Sequence, residues 1–412
     1  MSMNWRRKLK EQVLRIGKKE SKKYLQGYPL IREKDLAGAS GGLDEGSIVS
    51  LEDEEGNFLA RGYIGRQNKG LGWVLSRKEK EAIDESFFFN KIAAALGRRS
   101  RYFSDDETTA FRIFNGEGDG IGGMSIDWYD GYCLINWYSL GIYSFKKTIV
   151  EALYSMTAPK GIYEKKRFDT GGKYVPDDDF VKGERPDFPL LVKENGVRYA
   201  VYLNEGAMSG IFLDQREVRG RLKDAYAKGK TVLNTFSYTG AFSVAAALGG
   251  AKRTVSVDLA NRSLERTIEQ FDVNGLGEEG REIVVDDVFK YFKKAEKRGL
   301  LFDLVVLDPP SFARSKDHIF SAPRDYGKLV SQAAALLEDG GVLLASTNCA
   351  ALDMQRFKEM VKEGFRDEKM DFSILEEHTL PEDFRTCEEY RESSYLKVLF
   401  IKAARINPRR MG

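Results

Sequence analysis

Thr231-Val232-Leu233-Asn234-Thr235-Phe236-Ser237-Tyr238-Thr239-Gly240-Ala241-Phe242 is the stretch that decides the fold. It begins as a short apolar, β-branched run, crosses polar residues to a single glycine, and leaves as the apolar face of a helix. Comparable runs recur downstream at Arg253-Thr254-Val255-Ser256-Val257, Glu282-Ile283-Val284-Val285, Leu304-Val305-Val306-Leu307 and Gly341-Val342-Leu343-Leu344-Ala345, with helical patterns between them. Strands that are apolar along their length and alternate with helices imply a parallel sheet covered on both faces. The predicted class is therefore α/β, with a Rossmann-like sheet.

Such a sheet binds its ligand beyond the carboxyl ends of its strands. The loop after the first strand, Asn234 to Gly240, carries one glycine, which would let the backbone approach a ligand. The G-x-G-x-x-G pattern that cradles a pyrophosphate is missing, so a cofactor without phosphates is expected. Asp258-Leu259 follows the second strand, where a carboxylate can accept from both hydroxyls of a ribose. Asp286 and Asp287 follow the third, placed to accept from an adenine amine. Asp308-Pro309-Pro310-Ser311-Phe312 follows the fourth, where two prolines stiffen the loop beside an acid and an aromatic. Acids in register with successive strand ends form an S-adenosylmethionine site.

The rest of the chain divides into two further parts, giving expected units at 1–80, 81–190 and 191–412. In the first, Trp5, Leu9, Val13 and Ile16 fall at helical spacing, with Arg6, Arg7, Lys8, Lys10, Arg15, Lys18, Lys19, Lys22 and Lys23 on the other face. Short strand-like runs at 47–51, 58–64 and 72–75 then read as a small β-barrel. The second part is expected to be α+β. Phe87 to Gly97 reads as a helix, and Phe111-Arg112-Ile113-Phe114 as a strand entering the glycine-rich turn Asn115 to Gly120. No Lys-Ser/Thr follows that turn and a strand comes next, so it reads as a tight turn rather than a phosphate loop. Residues 164–190, with Lys165, Lys166, Arg167 and Asp177-Asp178-Asp179, read as an exposed loop and linker.

Composition bounds the function. In 412 residues, 65 basic and 63 acidic side chains leave +2, which argues against a polycation but leaves room for one basic face. No apolar run is long enough for a membrane span, and no signal peptide is recognisable. Cys133, Cys349 and Cys387 make no disulfide framework, and His318 and His378 are too few for a histidine metal site, so no metal and a reducing cytoplasm are expected.

Gly210-Ile211-Phe212-Leu213-Asp214-Gln215-Arg216-Glu217-Val218-Arg219, the Leu233 to Phe242 loop, Ser256-Val257-Asp258 and Asp308-Pro309-Pro310 resemble the RlmI-type bacterial large-subunit rRNA methyltransferases over nearly the whole chain. The resemblance implies a class I Rossmann-like methyltransferase domain, an N-terminal PUA-like β-barrel and a central α+β domain. It implies that Asp214, Gln215 and Arg216 lie over S-adenosylmethionine. Asn234, Thr235, Phe236, Ser237, Thr239 and Gly240 would line its methionine end, Asp258 would hold its ribose and Asp287 its adenine, with Leu259 and Asp286 beside them as further cofactor-binding candidates. Asp308 would floor the base pocket. The implied partner is 23S ribosomal RNA or the assembling large subunit, gripped through phosphates by the basic N-terminal part, with a second copy of the chain as a further candidate.

Methylation at C5 of cytosine needs a cysteine that adds to C6, and the family places it just after the last parallel strand. Here that strand ends Ser346-Thr347-Asn348-Cys349, with Asn348 at the expected position and Cys349 one place later. One residue reverses the face on a strand. Asn348 instead resembles the Ser-Asn-Asn segment of enzymes that methylate N7 of guanine, which needs no covalent intermediate. Catalysis is thus expected from Asp308 with Asn348 or Cys349, at guanine N7 or cytosine C5, with an exocyclic amine as a third target. Tyr238, Phe312 and Phe236 are available for stacking on an extruded base. Two other classes stay open: a non-catalytic RNA-binding assembly factor and a small-molecule methyltransferase.

Overall fold

A computed structural model describes residues 12–38, 41–168, 179–206, 208–314 and 319–405. The chain builds three main sheets in sequence order.

The first sheet has the order Gln12–Arg15, Ile48–Glu52, Phe58–Gln67, Gly70–Ser76, Leu30–Ile31. The expected N-terminal helix is corrected here. Gln12–Arg15 is a strand running parallel to Val49–Glu52, and the helix is Lys18–Leu25. Val13 and Ile16 are three apart, which suggested a helix, but the residues that enter the core are Leu14 and Ile16, two apart as a strand requires. Trp5, Leu9 and the basic residues Arg6, Arg7, Lys8 and Lys10 lie outside the described residues.

The second sheet has the order Phe180–Gly183, Gly161–Lys166, Tyr132–Trp137, Met124–Tyr129, Ala110–Asn115. Helix Glu85–Arg98 starts at Asp84, whose carboxylate accepts from the Phe87 amide. It packs Phe87, Phe88 and Ile92 with Ile149 and Leu153 of helix Lys146–Thr157. The linker expected over 164–190 is also corrected: 180–183 is an edge strand that pairs antiparallel with 161–166. Their charged residues are matched rather than solvated. Glu164 takes Trp137 Nε1 at 3.0 Å and Lys146 Nζ at 2.9 Å, and buried Lys165 pairs with Asp179. Asp177 and Asp178 lie outside the described residues.

The third sheet has seven strands: Thr231–Thr235, Arg253–Asp258, Arg281–Val285, Phe302–Leu307, Leu337–Thr347, Met370–His378 and Lys397–Arg405. Counted along the chain their order across the sheet is 3-2-1-4-5-7-6. The first five run parallel, with Leu233 opposite both Val255 and Val305. The last strand is antiparallel to the fifth. Leu233, Val255 and Val305 pack under one helical layer, while Val232, Leu304 and Val306 pack under the other. Among the described residues no helix is long and apolar enough to cross a membrane.

Between the sixth and seventh strands, residues 379–396 leave the sheet and run into the central unit. Gly118 admits them, because a β-carbon there would collide with the Arg385 carbonyl. At the centre Asp383 is 1% exposed. Its carboxylate accepts from Arg216 Nη2 at 2.6 Å and from the Arg112 amide at 2.8 Å, while its carbonyl accepts from Arg99. Removing one member of a buried ion pair leaves the other charge uncompensated. Asp383→Ala is therefore expected to cost about 3–5 kcal/mol, read from the urea unfolding midpoint. A loss within about 1 kcal/mol, the worth of an exposed pair, would contradict this reading.

Candidate functional site

The carboxyl ends of the parallel strands surround a cavity of about 400 Å³, within the range of small-molecule sites. The first strand feeds a strained turn into it. Phe236 and Tyr238 both adopt left-handed backbone, at φ 54° and 51°. Tertiary contacts hold this strain: the Ser237 amide donates to Val257 O, the Tyr238 amide to Asp258 Oδ2 at 2.8 Å, and Thr239 Oγ1 to Gly210 O at 2.7 Å.

Asp258 is thus fixed twice, since its Oδ1 also accepts from the Ala260 amide at 2.9 Å. Leu259 flanks it, exposed at the cavity rim. Asp287 lines the cavity and caps helix Val288–Lys297, accepting from the Phe289 amide at 2.9 Å. Asn234, Phe236, Ser237 and Thr239 also line the wall.

The opposite wall is the turn Phe212 to Gln215. Gln215 Nε2 donates to Ser346 Oγ at 2.7 Å and to Asp308 Oδ1 at 3.1 Å. Gln215 Oε1 is buried without a partner among the described residues. Tyr395 OH donates to Asp214 Oδ2 at 2.8 Å. Burial pushes the Asp214 carboxyl up, and pushes that of Asp308 up to about 6, with the nearby Asp214 charge adding to the rise. Asn348 lines the cavity, its Oδ1 accepting from Ser311 Oγ at 2.6 Å.

Five of the expected residues do not reach the cavity wall. Arg216 turns to Asp383 and Tyr102, and Arg219 lines the wall instead, held by Glu194 at 2.7 and 2.8 Å. Thr235 points into the sheet, donating to Val306 O. Gly240 is needed because its φ is 76° and because a β-carbon would collide with Thr267, a packing constraint rather than a ligand contact. Asp286 is drawn outward by Lys294 at 2.6 Å. Partial burial pushes its carboxyl up, but the bonds from Lys294 and the Asp287 amide bring it below the usual range. Cys349 is buried in the core under the sheet, and its carbonyl accepts from Lys397 Nζ.

The other cysteines are remote. Cys133 is in the central core, and Cys387 lies beside Glu389, where burial and that carboxylate push its thiol up to about 11. His378 bonds Glu376 on the edge strand, and His318 lies outside the described residues. Sequence reasoning missed Tyr395, which is 181 positions from its partner Asp214 and carries no local signal. It also missed Arg219, which lies one helical turn from Arg216 and whose partner Glu194 is remote in sequence.

Residues 112–389 match the family described as S-adenosylmethionine-dependent methyltransferase, and residues 14–77 the PUA-like domain. The chain is 56% identical, over 95% of its own length and 99% of the relative's, to a candidate ribosomal RNA large subunit methyltransferase, YwbD, of Bacillus subtilis strain 168. It is 32% identical to ribosomal RNA large subunit methyltransferase I of Pseudoalteromonas translucida strain TAC 125, over 94% of this chain and 98% of the other. Among solved structures, SMU.776, described as a candidate methyltransferase complexed with SAH, aligns with TM-score 0.87 and 38% identity, covering 95% of this chain and all of that one.

The raised Asp308 carboxyl makes a prediction about stability. Its folded value, about 6, exceeds the unfolded value near 4, so the ionised form costs stability above pH 6 and the cost is relieved as pH falls towards 4. Asp308→Asn should stabilise the protein more at pH 7.5 than at pH 5, by on the order of 1–2 kcal/mol in chemical denaturation. An equal effect at both pH values would contradict it.

Proposed function

This chain belongs to the S-adenosylmethionine-dependent methyltransferase family, and on that premise we propose that it methylates a base of large-subunit ribosomal RNA, at N7 of a guanine. The rRNA substrate is supported by the relatives' names and by the PUA-like domain at the N-terminus. In this reading residues 1–80 and 81–190 grip RNA and 191–412 carry the transfer.

The cavity fits the cofactor. It offers two anchored carboxylates at neighbouring strand ends and, at Gln215, a buried acceptor still lacking a donor. We assign Asp258, beside Leu259, to the ribose hydroxyls, Asp287 to the adenine amine, and Asp214, Gln215 and the Asn234 to Thr239 wall to the amino-acid end. Thr235, Gly240 and Asp286 shape that wall from behind, and Arg216 holds the opposite turn. Bound S-adenosylmethionine supplies an electrophilic methyl group.

The observation that carries the choice of atom is at the end of the fifth parallel strand. Asn348 faces the cavity and Cys349, the next residue, is buried behind it. A C5 reaction needs a thiolate that can reach the base, and none of the three cysteines lines this cavity. N7 of guanine carries its own in-plane lone pair. With Asn348 Oδ1 taken by Ser311, Nδ2 is the free donor, which suits the O6 acceptor beside guanine N7. N7 methylation leaves a cationic purine, and the Asp308 carboxylate, ionised above pH 6, opposes that charge. The remaining task is to align the base and exclude solvent.

Two sets of variants test this reading. Cys349→Ala should leave methyl transfer to unmodified 23S RNA within about twofold, whereas Asn348→Ala should lower it about tenfold or more, as expected for a lost hydrogen bond in a desolvated site. Abolition by Cys349→Ala with a mild Asn348→Ala effect would favour C5 instead. In calorimetry Asp258→Ala should weaken S-adenosylmethionine binding about tenfold or more; unchanged affinity would overturn its assignment to the ribose.

A further inference from the structure

We propose that Phe312 and Ile319, on the antiparallel strands Phe312–Arg314 and Ile319–Ser321, form a wedge that enters the RNA stack and fills the gap left by the extruded target base. This rests on the RNA reading above but not on which atom is methylated. The register pairs Phe312 with Ser321, Ala313 with Phe320 and Arg314 with Ile319. Directly opposed residues of an antiparallel pair share a face, so Phe312, Arg314 and Ile319 form one side and Ala313 and Phe320 the other.

The two sides are opposite in character. Phe320 is buried against Phe289, and Ala313 packs on the core while lining the cofactor cavity. Phe312 and Ile319 are 62% and 57% exposed. They are diagonal neighbours, close enough to act as one apolar edge. Scattered exposed apolar residues need no explanation, but these two share one face of a strand pair whose Ala313 and Arg314 line the reaction cavity. Asp308-Pro309-Pro310 leads into the first of these strands, and the Ala322 amide, just after the second, donates to Ser311 O. Ser311 also holds Asn348, the residue assigned to the base. Arg314, directly opposite Ile319 on the same side, lines the cavity and adds positive charge beside the two apolar side chains, complementary to the adjoining phosphates.

The occupant this chemistry fits is a pair of stacked bases with a vacated position between them. A base must leave its stack to enter a closed pocket, at a cost of a few kcal/mol, and apolar side chains inserted at a base step are the known physical means of holding such a gap open. Phe312 and Ile319 are thus positioning residues: they touch the neighbours of the reacting base.

The test is single-turnover transfer of tritiated methyl from S-adenosylmethionine to two RNAs. One is a stem-loop copied from the methylated segment of 23S RNA. The other is the same stem-loop with an abasic nucleotide opposite the target, which lowers the cost of extrusion. Phe312→Ala and Ile319→Ala should each slow transfer to the intact stem at least about tenfold, and the deficit should shrink to about threefold or less on the abasic stem. Calorimetric affinity for S-adenosylhomocysteine should match the parent, reporting an intact cavity. Equal slowing on both RNAs, no slowing on the intact stem, or a parent enzyme that methylates only unstructured RNA overturns the wedge. A parent that methylates no RNA overturns the rRNA reading itself, and the wedge with it.

Discussion

Asp383 is the constraint on which the site depends. A carboxylate withdrawn from water must be matched by donors, and those donors come from two separate parts of the chain: the Arg112 amide of the central unit and the Arg216 guanidinium beside the cavity turn. The same residue's carbonyl holds Arg99, which is itself paired with Asp119. This cluster fixes the turn 213–216. With Arg216 held outward, Gln215 faces inward to Asp308 and Ser346, and Asp214 meets Tyr395. One wall of the cavity is therefore set by ion pairing on its far side, and the segment 379–396 serves the site through Asp383 and Tyr395.

The parallel sheet was legible because its signal is local. Continuous apolar runs at Val232-Leu233 and Leu304 to Leu307 are buried on both faces, and no tertiary accident can make such runs comfortable in water. The positions of Asp258, Asp287 and Asp308 followed, since a strand end fixes where its next residue lies. What failed was the choice among neighbours. Asp286 and Asp287 differ by one residue, and only the first has Lys294 within reach on the following helix. Arg216 and Arg219 differ by one turn, and their acids, Asp383 and Glu194, come from segments no motif connects to them. Val13 and Ile16 gave a helical interval by chance, while the partner strand Ile48–Glu52, remote in sequence, imposed an extended backbone. Lys165 and Asp179 read as solvated charges because their pairing across the sheet edge is invisible locally.

Asn348 and Cys349 show where a local rule served well. Consecutive residues leaving a strand turn to opposite sides, and the thiol is accordingly packed in the core while the amide stands in the cavity beside Ser311. A base whose lone pair is already in place, a fixed amide donor and a carboxylate that opposes positive charge make a consistent set. The proposed N7 reaction requires no nucleophilic thiol.

The central claim is that the strand-end acids hold S-adenosylmethionine beside a slot that presents guanine N7. The most direct measurement is mass spectrometry of nucleosides from 23S RNA before and after treatment with the enzyme and cofactor. The account predicts a stoichiometric gain of 7-methylguanosine at one position. A gain of 5-methylcytidine instead, with guanosine unchanged, would contradict it.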